Sequence, residues 1–221
     1  MYYPTYHQLD FFRNPYKVIE WSKSLDFSRP TSGSYPGSRT DNLSNIKNDF
    51  FVNFNLQILR LIYGEDILRD EVSFASETYF QKINDEDLSF SNQGWIHTDS
   101  NMFLTAIIYL TPDCDDSGTS IYVPKDLEFL IKNSDEKNNY YKNKLVRKNN
   151  YIKALEENNN NFKKVAEYKS YFNSMIAFDG SQYHGANFNL KPKQERLTLI
   201  SFFSKIRANH YPSANFNRYL G

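Results

Sequence analysis

A single cysteine, Cys114, stands among 221 residues. No internal disulfide can form, so a stapled extracellular scaffold is excluded and a reducing compartment fits. An excess of charge is also missing, because 26 Lys+Arg balance 26 Asp+Glu. Nothing global therefore drives the chain toward nucleic acid or an anionic membrane. No apolar run approaches the ~20 residues of a membrane span, and the start, Met1-Tyr2-Tyr3-Pro4-Thr5, is unlike a secretory signal. The expectation is a soluble cytoplasmic protein. What is abundant is aromatic: 17 Tyr and 18 Phe within a 40% hydrophobic composition, enough for a packed core. With no internal repeat, the length suits one domain.

Asn14-Pro15 before Tyr16 to Trp21 reads as a capped short helix. A Ser-, Pro- and Gly-rich loop follows from Ser28 to Arg39. Residues 43–63 read as one amphipathic helix, with Phe50, Phe51, Phe54, Ile58, Leu61 and Ile62 at spacings of three and four before Gly64. The period then changes. Val72–Phe74 and Tyr79–Ile83 predict two strands, and Met102–Thr111 is a nearly continuous apolar run suited to a strand buried on both faces. A turn at Pro112–Gly118 leads to a strand over Thr119–Val123. Residues 125–168, rich in Asn and Lys, read as a helical insertion. Strands resume at Tyr171–Phe178 and end with Arg196–Phe203. The predicted class is α+β: a jelly roll with N-terminal helices packed on the sheet and a helical insertion. Its divisions are a helical region 1–66, a core 67–204 containing the insertion, and a tail 205–221.

His97 and Asp99, two apart, would project from one face of an extended segment. They offer two ligands of a 2-His-1-carboxylate triad, which leaves open positions on a non-haem Fe(II). Of the remaining histidines, His7 and His210 lie near the termini, whereas His184 follows the turn at Asp179-Gly180. His184 is either the third ligand or a hydrogen-bonded structural residue. Arg196 lies in the last strand, with Thr198 on its face. A guanidinium inside an apolar strand needs an anion, and its planar fork suits a carboxylate. Tyr109, in the buried strand, needs a hydroxyl partner or is an ordinary core tyrosine.

His97-Thr98-Asp99, Leu104 to Leu110, Gly118-Thr119, Phe178-Asp179-Gly180 with His184-Gly185, and Arg196-Leu197-Thr198 together resemble the 2-oxoglutarate-dependent Fe(II) oxygenases. The nearest branches are the prolyl-4-hydroxylase-like enzymes and small bacterial and phage-encoded members. The resemblance covers about residues 70–204. It implies a double-stranded β-helix (a cupin-like jelly roll) with Fe(II) held by His97, Asp99 and His184. It also implies that Arg196 binds the distal carboxylate of 2-oxoglutarate, assisted by Thr198 and Tyr109, with Lys193 and Lys191 as alternatives to Arg196. The implied reaction consumes O2, releases succinate and CO2, and usually hydroxylates the substrate, with ascorbate as a possible reductant. Halogenating members carry a small residue where Asp99 stands, so an oxygenase is implied. The place would be the cytoplasm, that of a host if the chain is phage-encoded.

Two rival readings use the same fold. One is a cupin-like metalloenzyme without 2-oxoglutarate, and the other is a non-catalytic jelly-roll binding protein. The substrate, whether small molecule or peptidyl, is not legible. Residues 137–153 interleave Lys and Arg with Tyr140, Tyr141 and Tyr151. They read as a solvated helical insertion in preference to a nucleic-acid grip or a lid. Asp113 to Gly118 begins like a calcium loop, but Pro124 replaces the required Glu, so it reads as a solvated turn. Arg39 reads as a surface residue, with a substrate contact as the alternative.

Overall fold

The computed structural model describes residues 3–29, 35–64, 72–84, 94–99, 101–126, 148–187, 190 and 194–209. In chain order the elements are β1 (Tyr6–Gln8), α1 (Pro15–Lys23), β2 (Ser38–Arg39), α2 (Leu43–Ile46), α3 (Asn48–Tyr63), β3 (Val72–Asn84), β4 (Leu104–Tyr109) and β5 (Thr119–Pro124). Then come α4 (Lys148–Asn159), β6 (Phe162–Tyr168), β7 (Met175–Asp179), β8 (Tyr183–Ala186) and β9 (Glu195–Ala208). Among the described residues, no helix is long and apolar enough to cross a membrane.

The strands form two antiparallel sheets: a six-stranded one in the order β1-β7-β4-β9-β3-β2 and a three-stranded one in the order β6-β5-β8. Alternation along β4 and β9 gives the large sheet two different faces. Leu104, Ala106, Ile108, Leu199 and Phe203 point outward and pack on Phe51, Phe54, Ile58, Leu59 and Ile62 of α3. Tyr109, Ile176 and Phe178 point inward and meet Ile121 of the small sheet. The groups described below lie between the two sheets, on or against that inward face.

α1 begins as its sequence predicts, with the Asn14 side chain accepting from the Lys17 amide at 3.2 Å and Pro15 in the first turn. α3 ends at Gly64, whose φ of +113° an L side chain rarely adopts. One polar residue interrupts the apolar stripe of α3. Asn55, fully buried, donates to the Phe51 carbonyl at 2.8 Å and to Thr78 Oγ1 at 3.1 Å, and accepts from Ser201 Oγ at 2.5 Å. Thr78 and Ser201 complete the ring at 3.0 Å. A satisfied network of this kind fixes one register of helix on sheet, because sliding would strand buried polar atoms.

Several predicted boundaries differ. The single helix over 43–63 is two, broken at Lys47, which has an extended φ of −153°. The two strands before the His-x-Asp segment are one thirteen-residue strand, β3, whose bulge between Ala75 and Ser76 shifts the alternation that suggested a break. The region predicted as helical before residue 67 also supplies β1 and β2, and β9 runs past residue 204 to Ala208. Of the region read as a helical insertion, 125–168, the described residues form α4 and then β6, a strand that pairs with β5 from Thr119↔Tyr168 to Pro124↔Phe162. β6 is an edge strand with Lys163, Lys164, Val165 and Glu167 exposed. Such a strand buries too few side chains to show a period of two. Residues 127–147, which include most of the basic stretch 137–153, lie outside the described residues.

Candidate metal centre

The segment Gly94–His97 lies beside β8 as a short extra strand. The Gly94 amide donates to the Ala186 carbonyl at 2.6 Å, and His97 and His184 exchange both backbone hydrogen bonds at 2.9 and 2.8 Å. Directly opposed residues of an antiparallel pair project to the same face. The pairing therefore sets the two imidazoles side by side, with ring centroids 4.4 Å apart. Asp99 is fixed separately. Its amide donates to the Gly180 carbonyl at 2.8 Å, in the turn that joins β7 to β8. That turn is held by Asp179, which accepts from the Ser181 amide and hydroxyl at 2.9 and 2.6 Å and from the Tyr3 amide at 2.9 Å. A Cβ on Gly180 would come within 2.3 Å of the Met102 carbonyl oxygen, so the turn can pack here only with glycine.

One ligand atom from each of His97, Asp99 and His184 lies within 4.8 Å of the others, and this is the one such group found among the described residues. Asp99 Oδ1 is 3.6 Å from His97 Nε2, and Asp99 Oδ2 is 3.5 Å from His184 Nε2. Both rings turn Nδ1 toward backbone carbonyls, His97 to Trp95 at 2.8 Å and His184 to Gln182 at 3.0 Å. With Nδ1 donating its proton, the neutral ring presents the Nε2 lone pair to the centre, as a metal requires. Burial alone would raise the Asp99 carboxyl. The neighbouring His184 and His97 rings, with a 2.6 Å hydrogen bond from Thr105 Oγ1, outweigh it and hold the group well below the usual carboxylate range. Asp99 is thus an anion throughout the neutral range.

Deeper on the inward face lies a second polar cluster. Arg196 is 4% exposed, with its guanidinium carbon 5.3 Å from the Tyr109 ring centroid. Its Nε has no hydrogen-bond partner, and among the described residues Tyr109, but no carboxylate, acts on it. Burial lowers the pKa of the guanidinium, partly offset by Tyr109 and Cys114. Thr198, fully buried and opposite Tyr109 across β4 and β9, also leaves its hydroxyl oxygen without a partner. The Tyr109 hydroxyl bonds Thr119 Oγ1 at 2.7 Å, and burial raises its pKa. A buried cation and a buried hydroxyl thus stand together here, groups of the kind that bind an anion.

Of the six residues singled out from the sequence, the structure gathers His97, Asp99 and His184 in one cluster and Arg196, Thr198 and Tyr109 in another. The other histidines stay away: His7 is exposed on β1, beside Tyr168 and Tyr171, and His210 lies outside the described residues, as do Lys191 and Lys193. The Asp113–Gly118 segment is a turn tied to its neighbours through the Ser170 amide on the Asp115 carbonyl at 2.9 Å and an Asp116–Lys169 ion pair at 3.4 Å.

Sequence reading missed Thr105, Thr119 and above all Asn158 and Asn159. The last two sit in an Asn run that the sequence places only within the helical insertion 125–168. Asn159 accepts from the Ile96 amide at 3.1 Å and donates to the Gly94 carbonyl at 3.0 Å, while Asn158 donates to the Ile96 carbonyl at 3.0 Å. The end of α4 therefore supplies side-chain amides where another strand would supply backbone. Trp95 packs on Tyr151 and Leu155 of the same helix. Replacing Asn158 and Asn159 together by Ala removes three hydrogen bonds of about 0.5–1.5 kcal/mol each from the segment that carries His97. The expected result is fast hydrogen exchange at the Ile96 amide and metal affinity lowered roughly 10- to 100-fold, while amides of β4 and β9 keep their protection.

The fold is found in solved structures. SnoN, an epimerase from nogalamycin biosynthesis solved with Fe3+, alpha ketoglutarate and nogalamycin RO, is 13% identical with a TM-score of 0.54, covering 96% of this chain and 83% of that one. HygX from Streptomyces hygroscopicus, solved with nickel and 2-oxoglutarate, is 11% identical with a TM-score of 0.53, covering 94% and 84%. A prolyl hydroxylase from Trichoplax adhaerens, in complex with a hypoxia inducible factor peptide fragment, is 10% identical with a TM-score of 0.50, covering 91% and 83%. The fold is thus the jelly-roll type of the 2-oxoglutarate and Fe(II) oxygenases. By sequence, residues 8–203 match the model of the Family of unknown function (DUF6445), and the chain belongs to that family. No curated protein matches it.

Proposed function

We propose that this protein is an Fe(II)- and 2-oxoglutarate-dependent dioxygenase built on a double-stranded β-helix, and that it hydroxylates its substrate. The observation that carries the reading is the guanidinium of Arg196, buried with no carboxylate of the described residues acting on it, on the inward face of the large sheet that the two-histidine, one-carboxylate centre meets through Thr105 and Phe178. A non-catalytic jelly roll has no use for a buried unpaired cation, which costs stability. A metalloenzyme without an organic acid cosubstrate has none either. His97 and His184 would give Nε2 to the iron and Asp99 one carboxylate oxygen, a set that leaves further positions free. Arg196, Thr198 and Tyr109 would hold the distal carboxylate of 2-oxoglutarate and orient its keto acid end toward the metal. When bound, iron and 2-oxoglutarate together supply dioxygen activation, giving succinate, CO2 and an oxidised substrate. The neighbours solved with Fe3+ or nickel and 2-oxoglutarate support the same cofactor set.

The deciding measurement is anaerobic reconstitution with Fe(II) and 2-oxoglutarate. The expected result is a weak visible metal-to-ligand charge-transfer band, then succinate on admission of air, with ascorbate sustaining turnover. Folded protein that takes up iron but gives neither band nor succinate would favour the cupin-like reading. Folded protein that takes up no iron would favour the binding module.

A further inference from the structure

A second guanidinium reaches toward the same centre from the opposite edge of the large sheet. Arg39 stands on β2 opposite Gln81 of β3, and Gln81 stands opposite Thr198 of β9, which faces Tyr109 of β4. Residues opposed across strands share a face, so Arg39 lies on the inward face in the same row as Thr198 and Tyr109. Two strand spacings separate it from Thr198, about 10 Å, which is too far for both cations to serve one small dicarboxylate end. Its side chain does not stop at that row. The Arg39 guanidinium carbon lies 3.8 Å from the Tyr35 ring centroid, 5.6 Å from Tyr79 and 5.1 Å from Phe202. Phe202 pairs with Thr105, whose hydroxyl bonds Asp99. The charge is therefore carried along the sheet toward the metal ligands, close enough to feel the Asp99 carboxylate.

Arg39 is held rather than satisfied. One terminal nitrogen donates to Gln81 Oε1 at 3.3 Å, and Gln81 is itself fixed by donating to the Pro36 carbonyl at 2.7 Å. Nε is buried with no hydrogen-bond partner. Glu77, the other carboxylate that acts on Arg39, accepts from the Tyr79 hydroxyl at 3.0 Å. Burial lowers the guanidinium pKa to about 10, so it stays charged at neutral pH. Aromatic walls with one fixed cation between them suit a ligand with an apolar body and a single oxyanion.

We infer that Arg39 is the specificity-determining contact for the primary substrate and takes a carboxylate or phosphate group on it, with Tyr35, Tyr79 and Phe202 flanking the body. This rests on the dioxygenase reading for the role of the neighbouring centre, but the binding itself is tested apart from it. The probes are benzoate and phenyl phosphate, with neutral benzamide as control, titrated calorimetrically into folded protein with and without Fe(II) and saturating 2-oxoglutarate. Wild type is expected to bind at least one of the two anions at least about tenfold more tightly than benzamide. Arg39→Gln should erase that preference and Arg39→Lys keep part of it. Gln81→Leu, which frees the guanidinium from its anchor, should weaken the anion severalfold and serves if Arg39→Gln does not fold. Benzoate tight and phenyl phosphate weak would assign a carboxylate, and the reverse a phosphate. Equal binding of anions and amide by wild type, or an anion preference that survives Arg39→Gln, overturns the inference. So does loss of 2-oxoglutarate together with the probe, which would place Arg39 in the cosubstrate pocket. An Arg39-dependent anion preference in protein that never binds 2-oxoglutarate would sink the dioxygenase reading and leave this one standing.

Discussion

Arg196→Leu is expected to bind iron as wild type does and to lose 2-oxoglutarate almost entirely. Truncating one partner of a buried charge pair costs about 2–4 kcal/mol, roughly 30- to 1,000-fold in Kd. The opposite sign is expected for stability. Without an organic acid, Arg196 is a guanidinium 4% exposed with an unpartnered Nε, and such a charge lowers stability until an anion arrives. Leucine fills much of the same space without that penalty. The variant's melting temperature, measured without 2-oxoglutarate, should equal or exceed that of wild type, whereas the stabilisation that 2-oxoglutarate gives wild type should vanish. Calorimetric titration and thermal unfolding in the same buffer check both signs. A variant that melts lower and still binds 2-oxoglutarate would identify Arg196 as a structural residue.

His184→Ala is expected to abolish iron binding, with affinity reduced by at least about 100-fold, because changes outside the ligand shell alone cost 10- to 100-fold. The backbone exchange with His97 survives the substitution, since both hydrogen bonds are main-chain, so the segment keeps its place. What goes is the Nε2 ligand and the ring face against Phe178, 4.6 Å between centroids. Far-ultraviolet circular dichroism should match wild type while iron retained after desalting falls to background. Retention of iron by this variant would remove His184 from the centre and undo the ligand set.

The chemistry of these two predictions was legible because it rests on residue types that are rare or conspicuous here. Four histidines leave few ways to complete a triad, and an arginine in the run Arg196–Phe203 is costly unless something holds it. Long apolar runs such as β4 announced themselves for the same reason, since a strand buried on both faces tolerates little else. The supporting shell was not legible. Asn158 and Asn159 gain meaning only because α4 ends beside Gly94–Ile96, far off in sequence. Neither asparagine has a local pattern that distinguishes it from its neighbours Asn160 and Asn161. Arg39 was legible only as an arginine after a Pro-Gly turn, and its direction came from pairing with Gln81. β6 was misread because an edge strand with one solvated face has the composition of a surface helix.

The order of the residues by itself determined which atoms are available: two imidazoles, one carboxylate and a guanidinium set in an apolar strand. Donor atoms and charges belong to residue types and survive any folding. Only the tertiary structure decided that Nε2 of both rings faces Asp99, that no carboxylate of the described residues acts on Arg196, and that Arg39 turns inward. Those facts depend on strand pairing between segments tens of residues apart, and cross-strand pairing is set by packing of the whole sandwich and not by any local window.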